Sequence, residues 1–420
     1  MLWYDRLSAW PPAPVEKITI SGTVQFVEPL YNKQRIILRA DEPRPVRNAR
    51  LFIYTERYPL RPVGSLLQFE CVLEKPVAFD AFAYDIYAAR NSIAYVCRYP
   101  AVTQLPWKHG IRSYLFALKE WYSRSFRISF HEPENGLAQA MVLARAGELS
   151  QPLRTEFSRA GIVHVISISG LHMALLTMLL EVVLQAFGLG RRVRFSMLAL
   201  FSFFYLMILG FPPPAVRSAI MVLLLLFARI IGRPSEGTHI LLLVATLMVV
   251  QNPYLLGFDI GFQLSFAALA GIMLTNEWWE RVLRFVPERF AFRSVTAMTC
   301  AAQLFTWPLS AYYFGMFSLV APFANIAVAA LLGPVLVGAL VAPFALAVPF
   351  AAPFVVWPTF FMLRGLVVAA HYASRVPMAV LPLPSHSLSL TIVSYALMGI
   401  VYLHYARKRK IHIRSSTLLP

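Results

Sequence analysis

Charge is scarce in this 420-residue chain, and negative charge is the scarcest part of it. Asp, Glu, Lys and Arg make up 14% of the residues against 58% hydrophobic, where a soluble globular domain carries roughly 25% charged residues. That shortage excludes an ordinary soluble enzyme, a disordered chain and a coiled coil. With a mean hydropathy of +0.59, it predicts an integral membrane protein. The few acidic residues, 21 against 38 Lys and Arg, leave a net charge of +17. So large an excess points to anionic partners, membrane lipid or nucleic acid, with cytoplasmic loops that follow the positive-inside rule accounting for part of it.

Cysteine is nearly absent too. Cys71, Cys97 and Cys300 form no CxxC pair and exclude a disulfide scaffold. Cys71 and Cys97 fall in strand-like segments and could pair if that region lies outside the cell; two buried free thiols are the preferred reading. Missing as well are GxxxxGK[ST], HxH or HExxH clusters and GxSxG. Those absences remove a nucleotide-cradling loop, a zinc site built from adjacent ligands and a nucleophile elbow. No catalytic residue, metal or cofactor is therefore expected. The opening MLWYDRLSAWPPAP is too short, polar and proline-rich for the apolar core of a secretory signal.

What is present divides near residue 160. Residues 1–104 contain five short β-branched and aromatic runs (17–30, 33–40, 49–56, 65–76 and 92–102) punctuated by Gly, Pro and Asn, the pattern of small antiparallel sheets. In the fourth run Leu67, Phe69, Cys71 and Leu73 alternate with Gln68, Glu70 and Glu74, which predicts one buried face. The runs suit a small OB-like β-barrel. Segment 78–90 reads as an aromatic helical insert, and 105–160 as amphipathic helices lying at the membrane interface.

From 161 to 408 apolar stretches predict a polytopic helical bundle of about nine spans, followed by a basic tail, 409–420. The seventh stretch, 317–348, looks too broken by Pro322, Gly333-Pro334 and Pro343 to be one simple helix. Basic clusters at Arg191–Arg194, Arg229–Arg233, Arg281–Arg293 and Lys408–Lys410 share one side if the count is nine. That side should be cytoplasmic, leaving residues 1–160 outside with no evident means of export.

Polar residues inside the spans are costly and face a bundle interior or a wet path. On one helix His164, Ser169 and His172 would share an arc of roughly 140° at 100° per residue, while Gly170 would let a neighbouring backbone approach. A polar lining is preferred, interhelical hydrogen bonding being the alternative. Arg217 sits one turn inside its span, where snorkelling and a phosphate contact are balanced readings. Gln263 shares a face with Asp259, and Ser265 lies some 160° from Gln263; interhelical bonding is the simpler reading of both.

Four ordered stretches resemble the ComEC competence channel family: GELSQPLRTEFSRAGIVHVISISGLHMAL (147–175), AVRSAIMVLLLLFARIIGR (215–233), NPYLLGFDIGFQLSFAALAGI (252–272) and AQLFTWPLSAYYFGMFSLVAPFANIAVAALLGP (302–334). The resemblance covers about residues 15–375. It implies an external OB-like domain on a polytopic competence domain, with passage of single-stranded DNA across the inner membrane during natural transformation. It also implies DNA-receptor and motor proteins as partners. Membrane helices before the OB-like domain and a C-terminal metallo-β-lactamase-like domain, common in the family, are not seen in the sequence, so either a separate nuclease is expected or the sequence is a fragment. A homo-oligomer is left open.

On this reading His164, Ser169, Gly170, His172, Arg217, Gln263 and Ser265 border the DNA path. In the β domain, Arg35, Arg39, Arg50, Tyr54 and Arg57 would meet phosphates and bases, with an ordinary solvated strand face as the alternative. The rival functions are a small-solute transporter with broken helices near 322–343 and an intramembrane serine hydrolase using Ser169 with His172 or His164. A membrane anchor for a partner is the least favoured.

Overall fold

A computed structural model describes residues 16–77, 84, 87, 88, 91–106, 110–168, 170–232, 237–288, 291–383 and 387–400. Within them the amino-terminal part is one six-stranded sheet: β1 (Ile18–Pro29), β2 (Lys33–Glu42), β3 (Arg50–Glu56), β4 (Leu66–Cys71), β5 (Ile93–Arg98) and β6 (Val102–Leu105). The order is β5-β3-β2-β1-β4-β6. All neighbours are antiparallel except β3 and β5, which run parallel. β6 is a strand beyond the five expected from the sequence.

Long β1 serves two partners, β2 and β4, and shifts register against β2 at Ser21/Gly22 and Val24/Phe26. Such irregularities bend a strand and raise its twist. Past the end of β4, Glu74 exchanges backbone hydrogen bonds with Val96 of β5 at 3.0 and 2.8 Å, so the chain after β4 reaches the opposite edge strand. The alternation read from the sequence holds: Leu67, Phe69, Cys71 and Leu73 are all buried, in a core with Ile20, Ile36, Leu38 and Tyr95.

The Glu74–Val96 junction also corrects the reading of the cysteines. Cys71 and Cys97 form a disulfide across Cα atoms 6.2 Å apart rather than two free thiols. Twenty-six residues separate them in sequence, and only the return of β5 alongside the end of β4 brings them together.

Helices follow: α1 (Ile111–Ser129), α2 (Glu134–Leu143), α3 (Gln151–Arg159), α4 (Gly170–Ala186), α5 (Arg191–Leu209), α6 (Pro213–Ile230), α7 (Gly237–Gln251), α8 (Tyr254–Phe258), α9 (Ile260–Val282), α10 (Phe292–Phe314), α11 (Ala321–Ala345), α12 (Ala352–Arg375) and α13 (Leu388–Ile400). A two-stranded ribbon joins Met316–Ser318 to Val380–Pro382. Among the described residues four helices, α5, α6, α11 and α12, are long and apolar enough to cross a membrane; α4, α7 and α13 are shorter apolar helices. Large side chains such as Leu200, Phe203, Phe227, Phe354 and Phe361 stand exposed along them, more apolar surface than a soluble monomer leaves uncovered.

Two expectations change in the helical part. Within 317–348 the prolines do not break the helix: after the ribbon strand Met316–Ser318, α11 runs unbroken from Ala321 to Ala345 with Pro334 and Pro343 inside it. Pro322 occupies its first turn, where no backbone N–H is needed, and interrupting the helix would strand backbone polar groups in an apolar setting. Helix α2, read as amphipathic and interfacial, is buried along its whole length in the same core as α11 and α12. Helix α1 divides its aromatic residues: Tyr122 and Phe126 are buried while Tyr114, Leu118 and Trp121 stay exposed.

The sheet docks on the helices through the end of β1. A Cβ at Gly147 would stand 2.7 Å from the Pro29 carbonyl oxygen and 3.3 Å from Leu30 Cα, so glycine there is what permits the approach. Alongside, Arg57 pairs with buried Glu148 and donates to the Tyr31 carbonyl oxygen at 2.6 Å.

Candidate functional site

Strand alternation places Lys33, Arg35, Ile37 and Arg39 on one face of β2, with Gln34, Ile36, Leu38 and Ala40 turned into the core. Register then sets Tyr54 opposite Arg35, Phe52 opposite Ile37 and Arg50 opposite Arg39. The outcome is a basic and aromatic face on β2 and β3. Lys33 Nζ lies 5.0 Å from the centre of the Tyr54 ring, and the Arg35 guanidinium lies 5.0 Å from Phe52 and 5.7 Å from Tyr87, within cation–π range.

Tyr84 and Tyr87 cover part of this face. Tyr87 stacks on buried Phe52, and the Tyr84 hydroxyl lies 3.2 Å from that of Tyr54. Burial and the Tyr54 hydroxyl push the Tyr84 phenol pKa upward. Arg35 also pairs with Glu28, its Nε donating to Oε2 at 3.0 Å. Arg50 donates to the Asn91 carbonyl oxygen at 2.8 Å, and exposed Arg39 to Asn48 Oδ1 at 2.6 Å.

Of the five β-domain residues picked out from the sequence, Arg35, Arg39, Arg50 and Tyr54 share this face. Arg57 does not join them, being committed to Glu148 at the junction with the helices. Sequence reasoning overlooked Lys33 and the two tyrosines. Their signals were the i, i+2 spacing of Lys33 from Arg35 and the i, i+3 spacing of Tyr84 and Tyr87.

In the helical part the expected single arc divides. His164 belongs to a short 3₁₀ turn, Val163–Val165, before α4 begins at Gly170, so it does not share a helix with His172. His172 is 0% exposed, and Ser169 lies outside the described residues.

Gly170 meets α6. A Cβ there would stand 3.3 Å from Ser218 Cβ, and Ser218 Oγ donates to the Gly170 carbonyl oxygen at 2.6 Å. One residue earlier, Arg217 is 2% exposed, so it neither snorkels nor stands open at a mouth. Its Nη2 donates to the Gly261 carbonyl oxygen at 2.9 Å, and its guanidinium lies about 6 Å from the Phe262 and Phe266 rings. That places it against the first turn of α9, which Asp259 caps by accepting from the Phe262 N–H at 3.0 Å.

Gln263 is tied on two sides. It donates to the Leu256 carbonyl oxygen and accepts from the Tyr313 hydroxyl, both at 2.8 Å. Ser265 is half-buried on the same helix.

Side-chain pairs that sequence reasoning missed surround α1–α3. Arg364 of α12 donates to Glu134 at 2.9 Å, His371 lies 3.0 Å from Glu156, and Arg145 pairs with Glu120. Beside the last pair, burial and the neighbouring Arg145 lower the Lys119 pKa to about 7. An arginine midway along an apolar run, as Arg364 is, was the available signal. Among the described residues no three His, Cys, Asp or Glu side chains converge as a metal set would.

Comparison with known proteins agrees with the residue patterns. A family model described as "Competence protein" matches residues 141–408. ComE operon protein 3 of Bacillus subtilis (strain 168) is 26% identical over 241 residues, which is 57% of this chain and 30% of that protein. The match thus spans under a third of the relative's length. No solved structure matches. With the family model covering well over half of the chain, from α2 to beyond α13, this protein belongs to the competence protein family.

Proposed function

We propose that this chain passes single-stranded DNA across the inner membrane during natural transformation, with residues 1–160 outside the cell membrane and the C-terminus in the cytoplasm. The observation that carries the reading is the β2–β3 face, where Lys33, Arg35 and Arg39 flank Tyr54. A single strand needs cations for its phosphates and aromatic faces for its bases. The sheet order, with β3 parallel to β5 and Glu74 bridging to Val96, favours an OB-like barrel, a fold that binds oligonucleotides on this face. The Cys71–Cys97 disulfide favours an oxidising, external compartment.

Strand passage then runs beside the start of α4, bordered by His164, Ser169 and His172, with Gln263 and Ser265 on α9. Gly170 and Arg217 hold α4, α6 and α9 in register around it. Because His172 is wholly buried, passage requires these helices to part. In this scheme the pulling motor and the surface DNA receptor are separate proteins. The transporter alternative rested on broken helices near 322–343, and α11 is continuous there.

The test is binding of a fluorescent single-stranded oligonucleotide to the purified full chain. Tyr54→Ala should weaken it about tenfold, the worth of one stacked base. Arg39→Ala should lower the slope of log affinity against log salt by about one. Salt-independent binding, or none at any salt, would remove the β domain from the DNA pathway. Normal transformation in a clean deletion strain would overturn the function itself.

A further inference from the structure

A cavity of about 540 Å³ opens where α4, α5 and α6 meet. Its lining is divided in character. Arg191 and Arg194 come from the first turn of α5 and Arg229 from the last turn of α6, while Phe195 and Leu226 supply an apolar wall. One carboxylate, Glu181, faces three guanidiniums.

Two further features favour an anion. The first turn of α5 presents backbone N–H groups with no intrahelical acceptor and the positive end of the helix dipole. Arg194 is held in place by its Nη1, which donates to the Leu189 carbonyl oxygen at 3.2 Å.

We propose that this cavity is a binding site for the headgroup of an anionic phospholipid. The phosphate takes the three guanidiniums, and the start of an acyl chain lies along Phe195 and Leu226. An inorganic or nucleic-acid phosphate uses the arginines alone and leaves the apolar wall without a role. A lipid uses both, and reaches the cavity from the bilayer, since α5 and α6 are membrane-crossing candidates that expose Phe203 and Phe227 outward. Basic recesses between membrane helices on the cytoplasmic side are where anionic headgroups lodge.

The experiment uses the full chain in nanodiscs, measuring exchange of a fluorescent phosphatidylglycerol against a phosphatidylcholine background. Phosphatidylglycerol should be retained, and Arg194→Gln and Arg229→Gln should each weaken retention about fivefold, with their combination about twenty-five-fold. Arg192→Gln, one residue from the lining, should leave retention unchanged. Arg194→Lys with Arg229→Lys keeps the charge and should retain most of the affinity, which separates loss of the site from loss of the fold.

Equal retention of phosphatidylcholine, or retention indifferent to both arginines, overturns the proposal. Displacement by inorganic phosphate alone would assign a free-phosphate site instead. Displacement by a single-stranded oligonucleotide, lost in the double Gln variant, would assign the arginines to nucleic acid; either result overturns the lipid assignment.

Discussion

Ser218 of α6 donates its hydroxyl to the carbonyl oxygen of Gly170, the first residue of α4, at 2.6 Å. Close approach and hydrogen bond depend on each other: a side chain at 170 would press on Ser218 Cβ. Next to Ser218, Arg217 reaches in turn to the first turn of α9. Three helices therefore meet at one polar junction, and it lies within the stretches that carry the family resemblance.

Crowding at that junction should be measurable. Gly170→Ala needs a shift of a few tenths of an ångström between α4 and α6 and should cost about 1 kcal/mol, and Gly170→Leu, with far more volume at the contact, should cost more. Ser218→Ala keeps the packing and loses only the hydrogen bond, so about 1 kcal/mol is expected. Unfolding of the purified protein in detergent, followed by denaturant titration, would show whether this ranking holds.

The disulfide gives a second test. Cys71→Ser or Cys97→Ser should destabilise the β domain by about 2–4 kcal/mol. Alkylation before and after reduction should add exactly two labelled cysteines in the native protein, leaving Cys300 as the thiol labelled without reduction under denaturing conditions. Two extra labels already present before reduction would place the domain in a reducing compartment, against the external topology.

Lys119 predicts a pH dependence whose sign follows from its burial. Its folded pKa, about 7, lies below the unfolded value of roughly 10.4, so between these the unfolded chain binds more protons. Stability should rise as pH increases from 7 to 9, by about 2 kcal/mol, and stay flat with respect to this group below pH 6. The groups facing it are Arg145, Glu120 and Glu28. Lys119→Met should remove the rise; a variant that keeps it would assign the effect to another group.

Glu134 is 1% exposed and its partner Arg364 is half-exposed. Losing Arg364 strands a buried carboxylate, so Arg364→Ala should cost more than Glu134→Gln, by about 2 kcal/mol. The double variant should recover most of the difference. Additive losses in a double-mutant cycle would show that the pair is not coupled.

Composition alone determined that this chain enters a membrane, because 58% hydrophobic residues cannot be hidden in a fold this size carrying so little charge. Period-2 alternation determined which side of the fourth run is buried, since successive strand residues point to opposite faces. The basic and aromatic residues of β2 and β3 were readable for the same reason, and Arg35, Arg39, Arg50 and Tyr54 do share a face. Whatever depended on a distant partner was decided by tertiary structure. Cys71 meets Cys97 only because β5 returns beside the end of β4, and Arg57 leaves the basic face only because Glu148 waits at the domain junction. Arg217 is buried because α9 begins against it. Periodicity describes one element at a time; the position of His164 outside α4, the enclosure of α2 and the continuity of α11 follow from what each segment packs against, which no single-element pattern records.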